Sequence, residues 1–244
     1  MRVVRLVIGF IGTHYEGWQS QKKGKTVQEV FERVLARIFN EKTPIIGSSR
    51  TDSGVHAKGF VAHFRTSGGL PDAEIKTALN FYLPKDILVF SAQTVRPGFH
   101  ARFDARSKIY RYDIWNSRTR PLFEEPFVLW HPQKLDVRLM RQAARCLIGR
   151  HDFSAFKDKG GETKSSVRTV KKLSIHKNKE TISLVIEANG FLTHMVRVIA
   201  GTLIDAGRKK IAPQDVQRIL ASKERAFAGP TARPQGLTLI RVRY

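Results

Sequence analysis

The stretch Arg50-Thr51-Asp52-Ser53-Gly54-Val55-His56-Ala57 brings a guanidinium, a carboxylate, two hydroxyls and an imidazole into one short segment. Such a set of groups is a candidate centre for chemistry. The segment lies between two apolar runs, 44–49 and 59–65, where a plain hairpin needs only a few turn residues. Turn aspartates and serines also bond nearby backbone amides, so a capped turn is the plainer reading of the same residues. A second feature is Arg197 within Phe191–Ala200, a run apolar nearly all round. A guanidinium in a core helix takes a carboxylate partner, for which Asp52 is a candidate, or it reaches solvent along its stem. The third is the alternating run Lys108–Trp115, which puts Tyr110, Tyr112 and Ile114 on one strand face. A tyrosine so placed can stack on a nucleobase. Ordinary core packing is the commoner fate, and the one expected for Tyr112.

Presenting these groups requires strands around the motif and helices behind it. Residues 3–11 are β-branched and apolar and predict a buried strand, followed by a polar and aromatic loop, Gly12–Lys25. Thr26 and Glu29 have the spacing of a capping box. Val27, Val30, Phe31, Val34, Leu35, Ile38 and Phe39 then recur at helical spacing, giving that helix an apolar face. Strands over 44–49 and 59–65, a helix over 72–83 closed by Pro84 and a strand over 87–95 complete the order β-α-β-β-α-β, that of a ferredoxin-like unit. The second half varies the plan. A strand over 108–115 precedes a helix running from an Asp136 cap to Ile148, with Gly149 as its stop. Strands over 167–176 and 181–188, an apolar helix over 191–206, a helix over 213–221 with Pro213 in its first turn, and a strand over 237–244 follow. Residues 116–126 and 157–166 read as loops, and the joint between halves falls near 96–107. Cys146 falls on the apolar side of its helix and reads as a core residue.

Composition narrows the chemistry. The 244 residues carry 43 lysines and arginines against 21 acids, a net charge of +22. Such an excess is self-repelling and points to an acidic partner, nucleic acid before an anionic membrane. Residues 96–111 hold five basic side chains against Asp104 alone, and residues 157–179 hold eight against two acids. A single cysteine excludes internal disulfides and multi-cysteine zinc or iron–sulfur sites. No run approaches a membrane span, and the chain reads as soluble and cytoplasmic. No Walker loop, no GxGxxG after a strand and no H-E-x-x-H is present.

The ordered motifs resemble those of the TruA-type tRNA pseudouridine synthases. Residues 50–57 resemble the family's active-site motif, and Gly17-Trp18-Gln19-Ser20-Gln21 with Thr26-Val27-Gln28 resembles its opening. Asn80, Leu83-Pro84 and Asp86-Ile87 are similar to the next segment, and Phe99-His100-Ala101-Arg102-Phe103-Asp104-Ala105 with Tyr110 and Tyr112 to the central one. His151-Asp152-Phe153, Phe156, Gly190-Phe191-Leu192 and Met195-Val196-Arg197 also fit, whereas Arg233 stands where a small residue or proline is the pattern. The resemblance implies an α+β fold of two ferredoxin-like halves, 1–105 and 106–244, with antiparallel sheets joined across a central basic cleft. It implies a homodimeric isomerase without cofactor or metal, acting on uridine at nucleotides 38, 39 and 40 of the tRNA anticodon stem–loop. Asp52 would then be the catalytic carboxylate, Tyr110 the surface on which the flipped base stacks, Arg197 the partner of Asp52, and Arg50 a residue that holds the RNA open. A non-catalytic RNA-binding or remodelling protein is the other reading, and it accounts equally well for the charge.

Overall fold

In the computed structural model, residues 1–22, 24–160 and 165–244 are described. Four residues of the expected loop 157–166, namely 161–164, lie outside them. Cα packing separates two compact units, one of Met1–Arg106 with Leu239–Tyr244 and one of Ser107–Thr238. Among the described residues no helix is long and apolar enough to cross a membrane.

The first unit opens with β1 (Arg2–Phe10), then α1 (Val27–Phe39), β2 (Ile45–Gly47), β3 (His56–Thr66), α2 (Asp72–Tyr82) and β4 (Ile87–Val95). The α1 start follows the expected cap, with the Thr26 hydroxyl accepting from Glu29 N–H, while the Glu29 carboxylate bonds Arg33 one turn on. Both long strands beside β1 run antiparallel to it, and β2 pairs antiparallel with β3. Apolar side chains of the strands and of both helices meet in one core. Leu6, Ile8, Phe60, Phe64, Phe31, Leu35, Ile75 and Leu79 are each at most 1% exposed. Burying one such side chain contributes roughly 1.5–3 kcal/mol. Asn80 fastens α2 to β4, its amide donating to the Val89 carbonyl and accepting from Val89 N–H at 2.9 and 2.7 Å.

The second unit contains β5 (Ser107–Trp115), β6 (Leu129–Trp130), α3 (Val137–Ala144), β7 (Gly149–Asp152), β8 (Val167–Asn178), β9 (Thr181–Ala188), α4 (Met195–Gly207) and α5 (Asp215–Ser222). Its strands lie in the order β5-β9-β8-β7, neighbours antiparallel, with β6 parallel to β5. The last strand, β10 (Leu237–Arg243), carries the chain back to the first unit, whose sheet order is β4-β1-β3-β10. There Gly59 admits it, since a Cβ on that glycine would lie 2.4 Å from the Ile240 carbonyl oxygen. The fold is therefore mixed α+β with mostly antiparallel strands.

Several boundaries differ from the sequence pattern. The helix from Asp136 is properly capped, the carboxylate accepting from Arg138 and Leu139 N–H, but α3 ends at Ala144. Arg145–Leu147 tightens into a 3-10 turn, and Gly149, at φ +115°, opens β7 rather than stopping a helix. Cys146 sits half-buried in that turn, its thiol donating to the Ala143 carbonyl. Helix α4 begins four residues later than its apolar run, because 191–194 form a turn ending in His194 at φ +57°. His56–Lys58, expected in the motif loop, belong to β3, where Ala57 pairs with Phe10.

One buried histidine makes the first unit acid-sensitive. His63 on β3 is 2% exposed and its Nδ1 accepts from Ala101 N–H at 3.2 Å. Burial, then the nearby His100 and Arg65, push the imidazole down to about 4. An unfolded histidine protonates near 6.5, so acid favours the unfolded chain first. The contribution is complete above about pH 6.5 and is lost as pH falls toward 4, on the order of 3 kcal/mol in all. We expect the urea midpoint to drop across that window. In His63→Asn, which keeps an acceptor near the Nδ1 position, the slope should flatten.

Candidate active site

The Asp52 loop bridges β2 and β3 and is held against a second segment, Gly12–Trp18, that follows β1. Trp18 N–H donates to the Thr51 carbonyl at 3.3 Å, and Gly54 N–H donates to the Tyr15 carbonyl at 3.2 Å. The Ser53 hydroxyl reaches the same Tyr15 carbonyl at 3.3 Å. Asp52 itself starts a turn, its carbonyl accepting Val55 N–H, with Gly54 at φ +76°. The two segments can touch only because glycines stand where they meet. A Cβ on Gly12 would fall 2.0 Å from the Val55 carbonyl oxygen, and one on Gly17, whose φ is +86°, would fall 2.2 Å from that of Thr51.

The buttress is itself anchored. Trp18 is 1% exposed and stacks on Phe60 of β3 at 4.2 Å. Its carbonyl accepts Gln28 N–H from the first turn of α1. The Tyr15 phenol donates to Asp86 at 2.7 Å, and burial, then that hydrogen bond, push the phenol well above its usual range. His56 is buried with Nδ1 accepting Gly12 N–H at 3.0 Å. Ser53 and His56 therefore do the bland structural work that turn residues usually do. Asp52 is half-buried and Arg50 exposed.

Replacing Gly17 by alanine tests this arrangement. The left-handed φ and the backbone contact at 2.2 Å both oppose a side chain there. Expected is a loss of about 2–4 kcal/mol in urea unfolding. The Asp52 turn must shift to make room, so the destabilisation should centre on this loop.

In the second unit Tyr110 is 6% exposed on β5, with the Phe191 ring edge-on to it at 5.1 Å and 86°. Tyr112 and Ile114 are fully buried, and the Tyr112 hydroxyl donates to the Arg233 carbonyl at 2.7 Å. Tyr112 is thus a core residue as its strand face suggested. Arg233 departs from the family pattern at little cost. It is exposed, and its backbone is extended ahead of Pro234, as the residue before a proline prefers.

Arg197 is half-buried in the first turn of α4, and the segment 228–232 lies along that helix to hold it. Arg197 Nε donates to the Ala232 carbonyl at 2.8 Å, and Ala232 N–H returns a bond to the Arg197 carbonyl at 3.1 Å. One turn on, Gly229 N–H donates to the Thr202 hydroxyl. The approach is close enough that a Cβ on Gly201 would lie 1.8 Å from the Pro230 carbonyl oxygen. The entrance to α4 is tied down by Asp158, whose carboxylate meets Arg225 Nε at 2.6 Å, the Thr231 hydroxyl at 2.7 Å and His194 Nδ1 at 2.8 Å. Burial opposes ionisation of Asp158, but hydrogen bonds from Thr231, Arg225 and His194 bring its carboxyl down to about 2.

The sequence pattern of the family described as tRNA pseudouridine synthase matches residues 6–104 and 143–244. Asp52, Arg50 and Arg197 fall inside those stretches, and Tyr110 falls between them. The chain belongs to the tRNA pseudouridine synthase family and is an isomerase, not a passive RNA binder. It is 46% identical over 248 residues to the tRNA pseudouridine synthase A of Thermoanaerobacter sp. (strain X514), with all of both chains covered. It is 43% identical to the tRNA pseudouridine synthase A of Acetivibrio thermocellus and 41% to the tRNA pseudouridine synthase A 2 of Clostridium perfringens, in each case over the full length of both chains.

Proposed function

We propose that this isomerase converts uridine to pseudouridine at nucleotides 38, 39 and 40 of the tRNA anticodon stem–loop, with Asp52 as the catalytic carboxylate. The observation that carries the reading is Asp52 on a turn laced to Gly12–Trp18, inside a chain similar over its whole length to relatives named tRNA pseudouridine synthase A. The chemistry suits a carboxylate. The bond from uracil N1 to ribose C1′ must break, the base must turn over, and C5 must bond to the same carbon. A carboxylate beside C1′ attacks it or stabilises its positive charge, as in glycoside hydrolysis. The departing uracil takes the electron pair of the broken bond. After the new bond forms, C5 gives up its proton and N1 gains one. The product is an isomer, so the reaction balances without oxidant, reductant or phosphoryl donor.

The remaining roles follow from the family likeness and the chemistry of each group. Tyr110 replaces the neighbour that the target base loses on leaving the helical stack. Arg197 is, by the family likeness, the cationic partner that orients the Asp52 carboxylate. Exposed Arg50 meets the RNA backbone and holds it open. The protein acts in the cytoplasm as a homodimer that requires no cofactor. Sequencing of modified positions in unmodified tRNA treated with the protein tests the reading directly. Pseudouridine confined to 38, 39 and 40 is the expected pattern, and modification elsewhere or none at all overturns it. Sedimentation at micromolar concentration checks the dimer.

A further inference from the structure

The segment 99–104 of the first unit displays an aromatic ring with care. Phe103 is 74% exposed. A lone exposed phenylalanine is unremarkable, but this one is held from beneath and from both ends. Its ring stacks on His100 at 4.2 Å and 28°. His100 in turn packs on buried His63 at 5.0 Å, and its Nδ1 accepts N–H from both Arg102 and Phe103. The Asp104 carboxylate accepts His100 N–H at 3.2 Å, and Ala101 is bonded through its N–H to His63 and through its carbonyl to the Tyr244 hydroxyl. A ring fixed this way loses little freedom when something stacks on it.

The surroundings indicate what stacks there. The Arg102 guanidinium lies 5.6 Å from the Phe103 ring centre. The next residue, Asp104, lines a cavity of about 470 Å³ together with Arg5, Arg96, Phe99, Arg106 and Tyr244. Three of those side chains are cationic and one is anionic, and the anion is engaged by Arg96 at 2.6 Å. Arg5 lies against the Phe99 ring and its Nε is buried with no hydrogen-bond partner among the described residues. A flat apolar ring flanked by guanidinium groups matches one ligand chemistry, a nucleobase with its phosphates. Along β3, His63 lies seven residues beyond His56, roughly 23 Å at 3.3 Å per residue. His63, beneath the platform, is therefore displaced along β3 from the end that carries the Asp52 turn.

We propose that Phe103 and its arginine rim form a second RNA contact, on which an unpaired base of the same substrate stacks while its phosphates meet Arg96, Arg102 and Arg106. This inference rests on tRNA being the substrate. Binding of full-length tRNA by the intact protein tests it, with three variants. Phe103→Ala should weaken binding about 5- to 100-fold, the range for loss of one stacked base. Phe103→Trp should restore affinity, and its added fluorescence, read against wild type, should be quenched by tRNA. Phe81→Ala, equally exposed on α2 and away from this loop, should bind as wild type. Unchanged affinity in Phe103→Ala, or no quenching in Phe103→Trp at saturating tRNA, overturns the proposal. So does a change in the sedimentation of Phe103→Ala without RNA, which would assign the ring to a protein contact. Tritium release by the wild-type enzyme reports separately on the tRNA reading.

Discussion

Asp52→Asn should abolish tritium release from tRNA carrying [5-³H]uridine, a loss of about 10⁴-fold or more, since the proposed role sets Asp52 against the reacting atoms and removing such a group collapses the step it serves. Affinity for tRNA should stay within a few-fold of wild type, because asparagine keeps the size and the turn-forming habit of aspartate and removes only the negative charge. The fold should survive. The turn is held by backbone bonds from Trp18 and Gly54 and by the Ser53 hydroxyl. Measuring single-turnover release alongside filter binding separates the two effects. Normal turnover in the variant would remove Asp52 from the mechanism, and lost binding would recast it as a recognition residue.

The second large effect is electrostatic. A net charge of +22 on 244 residues is poised to displace counterions from a polyphosphate. If about six phosphates are contacted, affinity should fall by about 10³ between 50 and 200 mM salt, with a log–log slope near −5. Neutralising one phosphate-contacting arginine should reduce that slope by about one. Fluorescence anisotropy with labelled tRNA across a salt series gives the slope directly. A flat response would show that backbone contacts contribute little to recognition.

How far the sequence disclosed these features depended on range. Thr26 and Glu29 announced α1, a β-branched apolar run announced β1 and alternation announced β5, because caps and local patterning act over a few residues. The Asp52 motif stood out because so many polar group types crowd between apolar strands. What stayed hidden was long-range. Gly12 lies against Val55 and Gly17 against Thr51, contacts between segments far apart in sequence. The clamp of Ala232 on Arg197 joins residues 35 apart in sequence, and no local pattern signals it. The overrun of α3 had a different cause. Cys146-Leu147-Ile148 continued an apolar helical period, but Leu147 is buried at the end of the tightened turn and Ile148 is already extended.

The route of β10 bears on how the protein is made. Leu239–Tyr244 complete the first unit, yet the whole of 107–238 must be translated before they appear. At ribosomal speeds of about 5–20 residues per second, the nascent first unit waits roughly 7–26 s with the outer edge of β3 lacking its last neighbour. An open strand edge of that kind is a template for wrong pairing, so chaperone dependence and premature-stop sensitivity should concentrate in this interval of synthesis.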